Sequence, residues 1–371
     1  MAALAQRLPD FPWDTLQAAK EVAQQHPRGI VDLSIGTPVD ATPAVAQEAL
    51  AAAANAPGYP LTAGTPAVQQ AIRSWAERTL GVSSPADLAV LPAIGTKELV
   101  AWLPTLLGLG AQDTVVIPEV AYPTYEVGAM VAGCQVIRSD STVSIGPRRV
   151  SLIWLNSPAN PTGRVLGVEH LAKVVAFARA RGALVISDEC YFELPWSNEA
   201  SQRPVSVLHP TVCGGSYDSI VALHSLSKRS NLAGYRFGYA LGDPRVLGPV
   251  LAARKHTGLM VPAPVQHAAV SVLADDTHVV QQRERYRHRR DLLIAALPEA
   301  GFRIDHSEAG LYLWATKGED CWTTVDWLAQ RGILVAPGTF YGPSGAQHVR
   351  IALTGTDERV AQAAERLLAS G

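Results

Sequence analysis

Short apolar runs alternate with amphipathic segments along the first two thirds of the chain. The runs are rich in Val, Ile and Leu and end at turns, which is typical of buried strands, and the segments between them have the length of helices. This alternation predicts an α/β fold with a mostly parallel sheet covered by helices on both faces. The predicted strands are residues 88–91, 114–117, 151–155, 184–187, 219–223 and 237–241.

The rhythm changes after residue 262. A long helix is predicted over 264–297, followed by strands near 311–315, 333–335 and 349–353 with helices between and after them, which indicates a smaller α+β domain. We therefore expect an N-terminal arm with part of the small domain (1–35), a large domain (36–263) and a small C-terminal domain (264–371).

Composition narrows the class of protein. The chain has 371 residues, of which 48% are hydrophobic and 17% charged, and its net charge is −2, so no basic surface for nucleic acid or an acidic membrane is indicated. There is no signal-like N-terminus, and no apolar run reaches about 18 residues. The four cysteines form no CxxC pair, which favours free thiols in a reducing compartment and no metal site. These features predict a cytoplasmic protein.

One stretch combines a lysine with several anion-binding groups. Lys228 lies between Ser227 and Ser230, follows an apolar run that ends near Ser225, and precedes Arg236. A lysine in an apolar environment has a lowered pKa and can form a Schiff base, while hydroxyls and a guanidinium suit a phosphate. On this stretch alone, a surface loop with an ordinary lysine is an equal alternative.

Further candidate groups follow other predicted strands, where ligands bind in parallel sheets. Gly95-Thr96-Lys97 opens a helix and offers unpaired N–H groups to an anion. The octet 156–163, with two prolines and Asn160, has the rigidity of a site loop. Asp188, as a carboxylate at this rim, suits a protonated ring nitrogen, with Tyr191 three residues on; taken by itself, the position of Asp188 favours a helix N-cap.

Two more side chains have either a structural or a ligand-binding role. Tyr122 has the flat ring needed to stack on a ligand, or it packs in the core. Arg350 lies in the middle of an apolar strand, and a buried arginine needs a partner. That partner is either a protein carboxylate or the carboxylate of a substrate, which the planar guanidinium can bind at two points.

Taken together, these motifs resemble the class I/II aminotransferases, which are pyridoxal-phosphate enzymes of fold type I. The resemblance spans nearly the whole chain and implies a mostly parallel, seven-stranded sheet in a large cofactor-binding domain, sandwiched by helices. The motifs, in the order found in the family, are residues 32–36, 59–64, 95–98, 118–125, 156–163, 187–191, 225–238, 337–338 and Arg350.

The resemblance also implies a role for each candidate. Lys228 forms the Schiff base with the cofactor and moves the proton between the substrate α-carbon and the cofactor. Asp188 pairs with the pyridinium nitrogen, which makes the ring an electron sink. The remaining implied contacts are Asn160 and Tyr191 with the ring oxygen, Tyr122 stacked on the ring, Gly95, Thr96, Lys97, Ser225 and Arg236 with the phosphate, Tyr59 with the phosphate of the neighbouring subunit of a homodimer, and Arg350, Gly36 and Asn160 with the substrate carboxylate.

Within this superfamily, residues 8–14, 35–40 and 154–164 are most similar to the actinobacterial N-succinyldiaminopimelate aminotransferases of lysine and cell-wall biosynthesis. That resemblance implies a ping-pong exchange of the amino group with glutamate as donor. The alternatives are another amino-acid aminotransferase of aspartate or alanine type, or a C–S β-lyase of the same fold. A cofactor-sensing regulatory module is disfavoured, because about 30 residues before the first site loop are fewer than the ~50 of a separate domain.

Overall fold

A computed structural model describes residues 4–197, 199 and 202–369. Its larger core is built on a seven-stranded sheet with the strand order β2-β8-β7-β6-β5-β3-β4, in which β8 is antiparallel to both neighbours and the other paired strands are parallel. This confirms the predicted fold class. The strands are β2 (Ala89–Ala93), β3 (Thr114–Ile117), β4 (Gln135–Arg138), β5 (Leu152–Asn156), β6 (Leu184–Asp188), β7 (Ile220–Ser225) and β8 (Gly238–Gly242).

Helices cover both faces of this sheet, because the strands expose apolar side chains on each side. Trp75 and Leu171 pack on one face, and Leu99 and Tyr125 pack on the other. The helices are α2 (Ala44–Ala52), α3 (Pro66–Trp75), α4 (Thr96–Leu106), α5 (Thr124–Ala132), α6 (Thr142–Ile145), α7 (Val168–Arg181), α8 (Pro210–Cys213), α9 (Leu226–Arg229), α10 (Pro244–Thr257) and α11 (Ala263–Ala274).

A smaller core lies on a four-stranded antiparallel sheet with the order β12-β13-β10-β9. The N-terminal segment joins it, since β1 pairs with β11 in parallel. The elements of this part are β1 (Val31–Asp32), β9 (Arg303–Asp305), β10 (Tyr312–Thr316), β11 (Ile333–Leu334), β12 (Ala336–Pro337), β13 (Val349–Ala352), α1 (Gln17–Gln24), α12 (Thr277–Glu299), α13 (Cys321–Ala329) and α14 (Asp357–Leu368).

Capping residues explain several helix boundaries. The Thr65 hydroxyl accepts the N–H of Val68 and starts α3 before Pro66, a residue suited to the first turn. The Asp243 carboxylate accepts the N–H of Arg245 at the start of α10. That helix ends at Gly258, whose φ of +71° is the left-handed conformation that favours glycine.

The predicted single helix over 264–297 is wrong. Two helices occupy this region, because Asp275 leaves the helical conformation with φ −108° and ψ 115° and its carboxylate accepts the N–H of Thr277 at the start of α12. Helix α11 packs on α2 and α3, and Val272 and Leu273 lie in the larger core. The division of the chain at 35 and 263 stays a prediction, and the packing of α11 associates that helix with the larger core.

The register of the large sheet aligns the ends of its central strands. Asn156 and Asp188 are paired residues at the ends of β5 and β6, and Ser225 ends β7. The residues that follow these ends therefore gather at one edge, as expected for a ligand site. In the described ranges, no helix is both long and apolar enough to cross a membrane, and no cluster of three or more His, Cys, Asp or Glu side chains is arranged to hold a metal ion.

Candidate active site

A cavity of about 340 Å³ opens at this edge, between the two cores. Most of the predicted site residues line it, whereas Gly95 lies directly beneath one lining side chain and Tyr59 lies outside. The predicted residues in the wall are Gly36, Thr96, Lys97, Tyr122, Asn160, Asp188, Tyr191, Ser225, Lys228, Arg236 and Arg350.

Lys228 projects into this cavity from the short helix α9. The Ser225 hydroxyl caps that helix by accepting the N–H of Ser227 at 3.1 Å, and this contact fixes the backbone from which the Lys228 side chain projects. The Lys228 amine donates a hydrogen bond to the carbonyl of Gly36. Burial lowers the pKa of this amine, and the positive charges of Arg350 and Arg236 lower it further. A larger fraction of the amine is therefore neutral and nucleophilic than for an exposed lysine.

Asp188 is the last residue of β6 and is buried. Its carboxylate accepts the Tyr125 hydroxyl at 2.7 Å and the N–H of Cys190 at 3.2 Å. Burial raises the pKa of Asp188, and these hydrogen bonds with Cys190 and Tyr125 oppose the rise. No lysine, arginine or histidine of the described chain pairs with this carboxylate. A buried, oriented carboxylate without a cation suits a protonated ring nitrogen.

A further part of the cavity wall, at the start of α4, is suited to an anion. Gly95, with a φ of +89°, is the N-cap residue before the eleven-residue helix α4, and a Cβ there would lie 2.3 Å from the Arg236 guanidinium. Glycine thus lets the guanidinium approach the helix N-terminus, where unpaired N–H groups attract negative charge. Burial and the charge of Arg236 lower the pKa of Lys97. The hydroxyl of Ser225 lines the same space.

Arg350 is the clearest case of an unmatched charge. It lies in β13 and is only 2% exposed. Its guanidinium donates to the Asn160 side-chain oxygen at 3.1 Å and to the carbonyl of Ser34 at 2.6 Å, while its buried Nε has no hydrogen-bond partner within the described residues. Since no described carboxylate pairs with it, a carboxylate ligand is the missing partner.

The loop between β5 and α7 holds Asn160 in place for that contact. The Asn156 side-chain oxygen accepts the Asn160 N–H at 2.7 Å, and its amide donates to the carbonyls of Pro158 and Asp188. The bonds Ser157–Pro158 and Asn160–Pro161 are both cis. The predicted rigidity of the octet thus has a physical basis in hydrogen bonds to one buried asparagine.

Two tyrosines of the site were missed from the sequence. Tyr125 bonds Asp188 and stacks on Trp154, with ring centroids 4.8 Å apart. Tyr312 lies under the Arg350 guanidinium at 4.1 Å and shares a hydrogen bond of 3.1 Å with Tyr191. Both occur in apolar patterns that resemble ordinary core positions, so neither was predicted as a site residue, although Tyr125 ends the motif 118–125.

Tyr122 and Tyr59 differ in how the structure places them. Tyr122 lines the cavity edge-on to Tyr125, and burial raises its pKa to about 12, which keeps the phenol neutral. Tyr59 is 99% exposed in a loop before α3. Within one protomer Tyr59 does not reach the cavity, so its expected contact belongs to a neighbouring subunit and stays a prediction.

Sequence comparison places this site in a known family. The profile of aminotransferase class I and II matches residues 28–367. The chain belongs to the class I and II aminotransferases. This confirms the resemblance drawn from the motifs, and it accounts for a lysine, an aspartate and an anion site around one cavity.

Individual relatives of this aminotransferase are similar over most of their length. A probable aminotransferase of Mycobacterium tuberculosis is 61% identical over 97% of this chain and 85% of its own. The 4-dedimethylamino-4-oxo-anhydrotetracycline transaminase of Streptomyces rimosus is 57% identical over 97% and 99%. A solved structure of a probable N-succinyldiaminopimelate aminotransferase from Thermus thermophilus is 30% identical, covers 97% and 100%, and superposes with a TM-score of 0.86.

The aminotransferases of this family depend on pyridoxal phosphate, and the predicted cofactor is thereby confirmed. The residues of the cavity fit the group at three points. Asp188 offers a buried carboxylate without a cationic partner among the described residues, Lys228 offers an amine of lowered pKa, and Arg236 closes an anion site over Gly95.

Proposed function

We propose that this aminotransferase exchanges the amino group of glutamate with N-succinyl-2-amino-6-oxopimelate, giving 2-oxoglutarate and N-succinyl-LL-2,6-diaminopimelate. The observation that carries an amino-acid substrate is Arg350, a buried guanidinium without a described carboxylate partner beside the Lys228 amine. The succinylated acceptor is supported by the 30% identity to the probable N-succinyldiaminopimelate aminotransferase.

We further propose that the site residues act as the family resemblance implies. Bound pyridoxal phosphate supplies an electron sink for negative charge at the substrate α-carbon. The Asp188 carboxylate holds the protonated ring nitrogen, while the α4 N-terminus and Arg236 hold the phosphate. Tyr122 stacks on the ring. Asn160 and Tyr191 bond the ring oxygen.

Proton movement in this proposal belongs to Lys228. Its neutral amine takes the proton from the substrate α-carbon and delivers it to the cofactor in one half of the exchange, and it carries a proton in the opposite direction in the other half. Arg350, with the Gly36 backbone and Asn160, holds the substrate α-carboxylate by a two-point contact, which fixes the α-carbon within reach of that amine. The removal of the amine from solvent keeps its pKa low enough for both directions.

A homodimer is part of the proposal, with Tyr59 of one subunit reaching the phosphate of the other. Support comes from the full exposure of Tyr59 together with the neighbouring Leu61, which is 56% exposed. Exposed apolar side chains in one loop are typical of an association surface. A cytoplasmic location is likewise proposed, because all four cysteines are free.

A second candidate acceptor is a fused-ring ketone. The Streptomyces rimosus relative, whose name describes an anhydrotetracycline substrate, is 57% identical over 99% of its length. In this chain the mouth of the cavity carries Phe11 and Trp13, with ring centroids 5.6 Å apart, and both line the cavity. Aromatic rings at a mouth favour a flat, apolar acceptor.

The test is an acceptor screen with glutamate as the donor and 2-oxoglutarate as the product measured. The panel includes succinylated and free keto-pimelates, pyruvate, oxaloacetate and a fused-ring ketone. We expect the highest kcat/KM with the succinylated acceptor, and a preference for any other acceptor refutes this choice. Lys228→Ala serves as the inactive control. Release of pyruvate from cystathionine in place of 2-oxoglutarate from glutamate identifies the C–S β-lyase alternative.

A further inference from the structure

A buried ion pair outside the cavity anchors the chain segment that carries Gly36. Arg289, in the middle of α12, donates to the Asp40 carboxylate from both Nη atoms, at 2.8 and 2.6 Å, and each bond reaches a different carboxylate oxygen. The two side chains are 1% and 9% exposed. Two parallel bonds of this kind fix orientation as well as distance. Asp40 is therefore held at a defined point on α12.

The Asp40 carboxylate has a second donor on the same helix. The Gln282 amide nitrogen donates to it at 2.7 Å, and the Gln282 side-chain oxygen accepts the Asn231 amide at 2.8 Å. Burial acts to raise the pKa of Asp40, but the bonds from Arg289 and Gln282 outweigh it and lower the pKa. An ionised carboxylate only accepts, so it also fixes which way the Gln282 amide faces.

These contacts join two parts of the active site through one helix. Asn231 lies three residues after Lys228, in the turn that follows α9. Helix α12 therefore holds both this turn and Asp40. The relative position of the lysine and the segment before Asp40 depends on a single rigid element.

The other end of the segment is fixed to the smaller core. The carbonyl of Ile35 accepts the Thr354 hydroxyl at 3.0 Å, directly before Gly36. Residues 36–39 join this contact to Asp40, and the ring of Pro38 restricts the backbone between them. A short segment is thus held at both of its ends.

The middle of this segment faces the cavity. Gly36 and Thr37 line it, and the Gly36 carbonyl accepts the Lys228 amine. A Cβ on Gly36 would lie 2.0 Å from the Tyr312 hydroxyl oxygen, so the backbone lies directly against that phenol. A small displacement of the segment therefore changes the shape of the carboxylate site.

We propose that Asp40, held by Arg289, is a positioning residue that sets the Gly36 backbone where the substrate α-carboxylate is bound. This rests on the contact of Gly36 and Arg350 with that carboxylate under the proposed function. When the anchor at Asp40 is weakened, the Gly36 backbone occupies a wider range of positions. Substrate binding then has to order the segment again, which costs affinity.

The experiment compares two substrates in the cofactor-loaded enzyme. Asp40→Asn keeps the shape of the side chain but removes its charge and one of the two acceptor oxygens. We expect the KM for glutamate to rise about three- to tenfold, the size of one net hydrogen bond, with kcat within twofold of wild type. The kcat/KM for butylamine, which has no carboxylate, should stay within twofold. A purely structural role lowers the melting temperature without this difference between substrates, and an unchanged KM for glutamate overturns the proposal.

A matched control uses the same guanidinium. Asp357, at the start of α14, accepts the Nε of Arg289 at 2.6 Å but belongs to neither the cavity nor the segment 36–40. Asp357→Asn therefore removes a comparable contact of Arg289 and leaves the Asp40 fork in place. We expect its KM for glutamate within twofold of wild type, and a rise equal to that of Asp40→Asn overturns the assignment to Asp40.

Hydrogen exchange on the protein without cofactor gives a readout that does not depend on turnover. The peptide covering residues 33–42 should exchange about tenfold faster in Asp40→Asn than in wild type, and no faster in Asp357→Asn. Equal exchange in Asp40→Asn and wild type overturns the anchor. Arg289→Lys keeps the charge but cannot bond both oxygens in parallel. It should show the same changes at a smaller size, and it carries the test if Asp40→Asn does not fold.

Failure of the proposed function gives a different result. Wild-type enzyme without turnover of glutamate refutes that function. Turnover in wild type together with an unchanged KM in Asp40→Asn refutes only the positioning role of Asp40.

Discussion

Replacing Arg350 by lysine tests the substrate-carboxylate site most directly. The substitution keeps the positive charge but removes the planar fork, so a carboxylate is held at one point instead of two. One charge-assisted hydrogen bond contributes about 1.5–3 kcal/mol, and each 1.4 kcal/mol is tenfold in affinity. We therefore expect the KM for glutamate to rise about 10- to 100-fold.

Arg350→Lys is also expected to lower the stability of the fold, because the Arg350 guanidinium donates hydrogen bonds to other residues of the protein. Its Nη1 and Nη2 atoms donate to Asn160 and to the carbonyl of Ser34, both buried. An acceptor left without its donor costs about 1–3 kcal/mol, so the unfolding free energy of Arg350→Lys is expected to fall by that order. Thermal unfolding measured beside the kinetics separates a weaker fold from a weaker substrate contact.

The assay is a steady-state measurement of KM and kcat with glutamate, repeated with a primary amine that has no carboxylate. Such an amine has no carboxylate for the guanidinium to bind, so the kcat/KM of Arg350→Lys with this amine should match that of wild type. Arg290→Lys is the matched control, because Arg290 is half-buried, donates to Ser307 and lies outside the cavity. If glutamate binds Arg350→Lys as tightly as wild type, the carboxylate assignment is wrong.

Four other changes probe the site and the fold. Lys228→Ala should abolish turnover and the visible absorbance while the circular dichroism stays native. Asp188→Asn should reduce kcat at least 100-fold on the scale of a lost acid–base partner, because a neutral amide cannot hold a protonated ring nitrogen; near-normal kcat contradicts that role. Gly36→Ala should raise the KM for glutamate, since its Cβ meets the Tyr312 ring and hydroxyl. Asp305→Asn should reduce the dependence of the urea unfolding midpoint on acid pH. Arg303 lowers the pKa of Asp305 in the folded protein to about 2 from 3.8. The stabilisation of the fold by the Asp305 carboxylate is therefore complete above about pH 4 and is lost as the pH falls toward 2.

The apolar pattern was sufficient to predict most of the large sheet, because its strands are buried on both faces. Strands β3 and β5 lie within one residue of their predicted limits. Strand β4 was missed since it begins and ends with Gln135 and Arg138 and pairs on one side only. At such an edge, exposed positions carry polar side chains and the apolar run disappears.

Within the site, the residues predicted best are those in motifs that combine unusual chemistry with a strand end. Lys228, Asp188 and Arg350 line one cavity, and their individual roles stay predictions. Tyr312 could not be predicted, because its function-like contacts with Arg350 and Tyr191 join segments far apart in sequence. A tyrosine at the start of a buried strand looks the same in sequence whether it bonds a ligand group or fills the core.

The site draws its groups from two separately packed units. Strand β13 brings Arg350 from the four-stranded sheet, whereas Asp188 and Lys228 follow strands of the seven-stranded one. Substitutions should therefore differ in effect according to the sheet that they disturb. A substitution that disturbs the four-stranded sheet should weaken the binding of amino acids and leave the retention of vitamin B6 unchanged. A variant that loses amino-acid binding and vitamin B6 retention together should have a disturbed seven-stranded sheet or a disturbed contact between the two sheets.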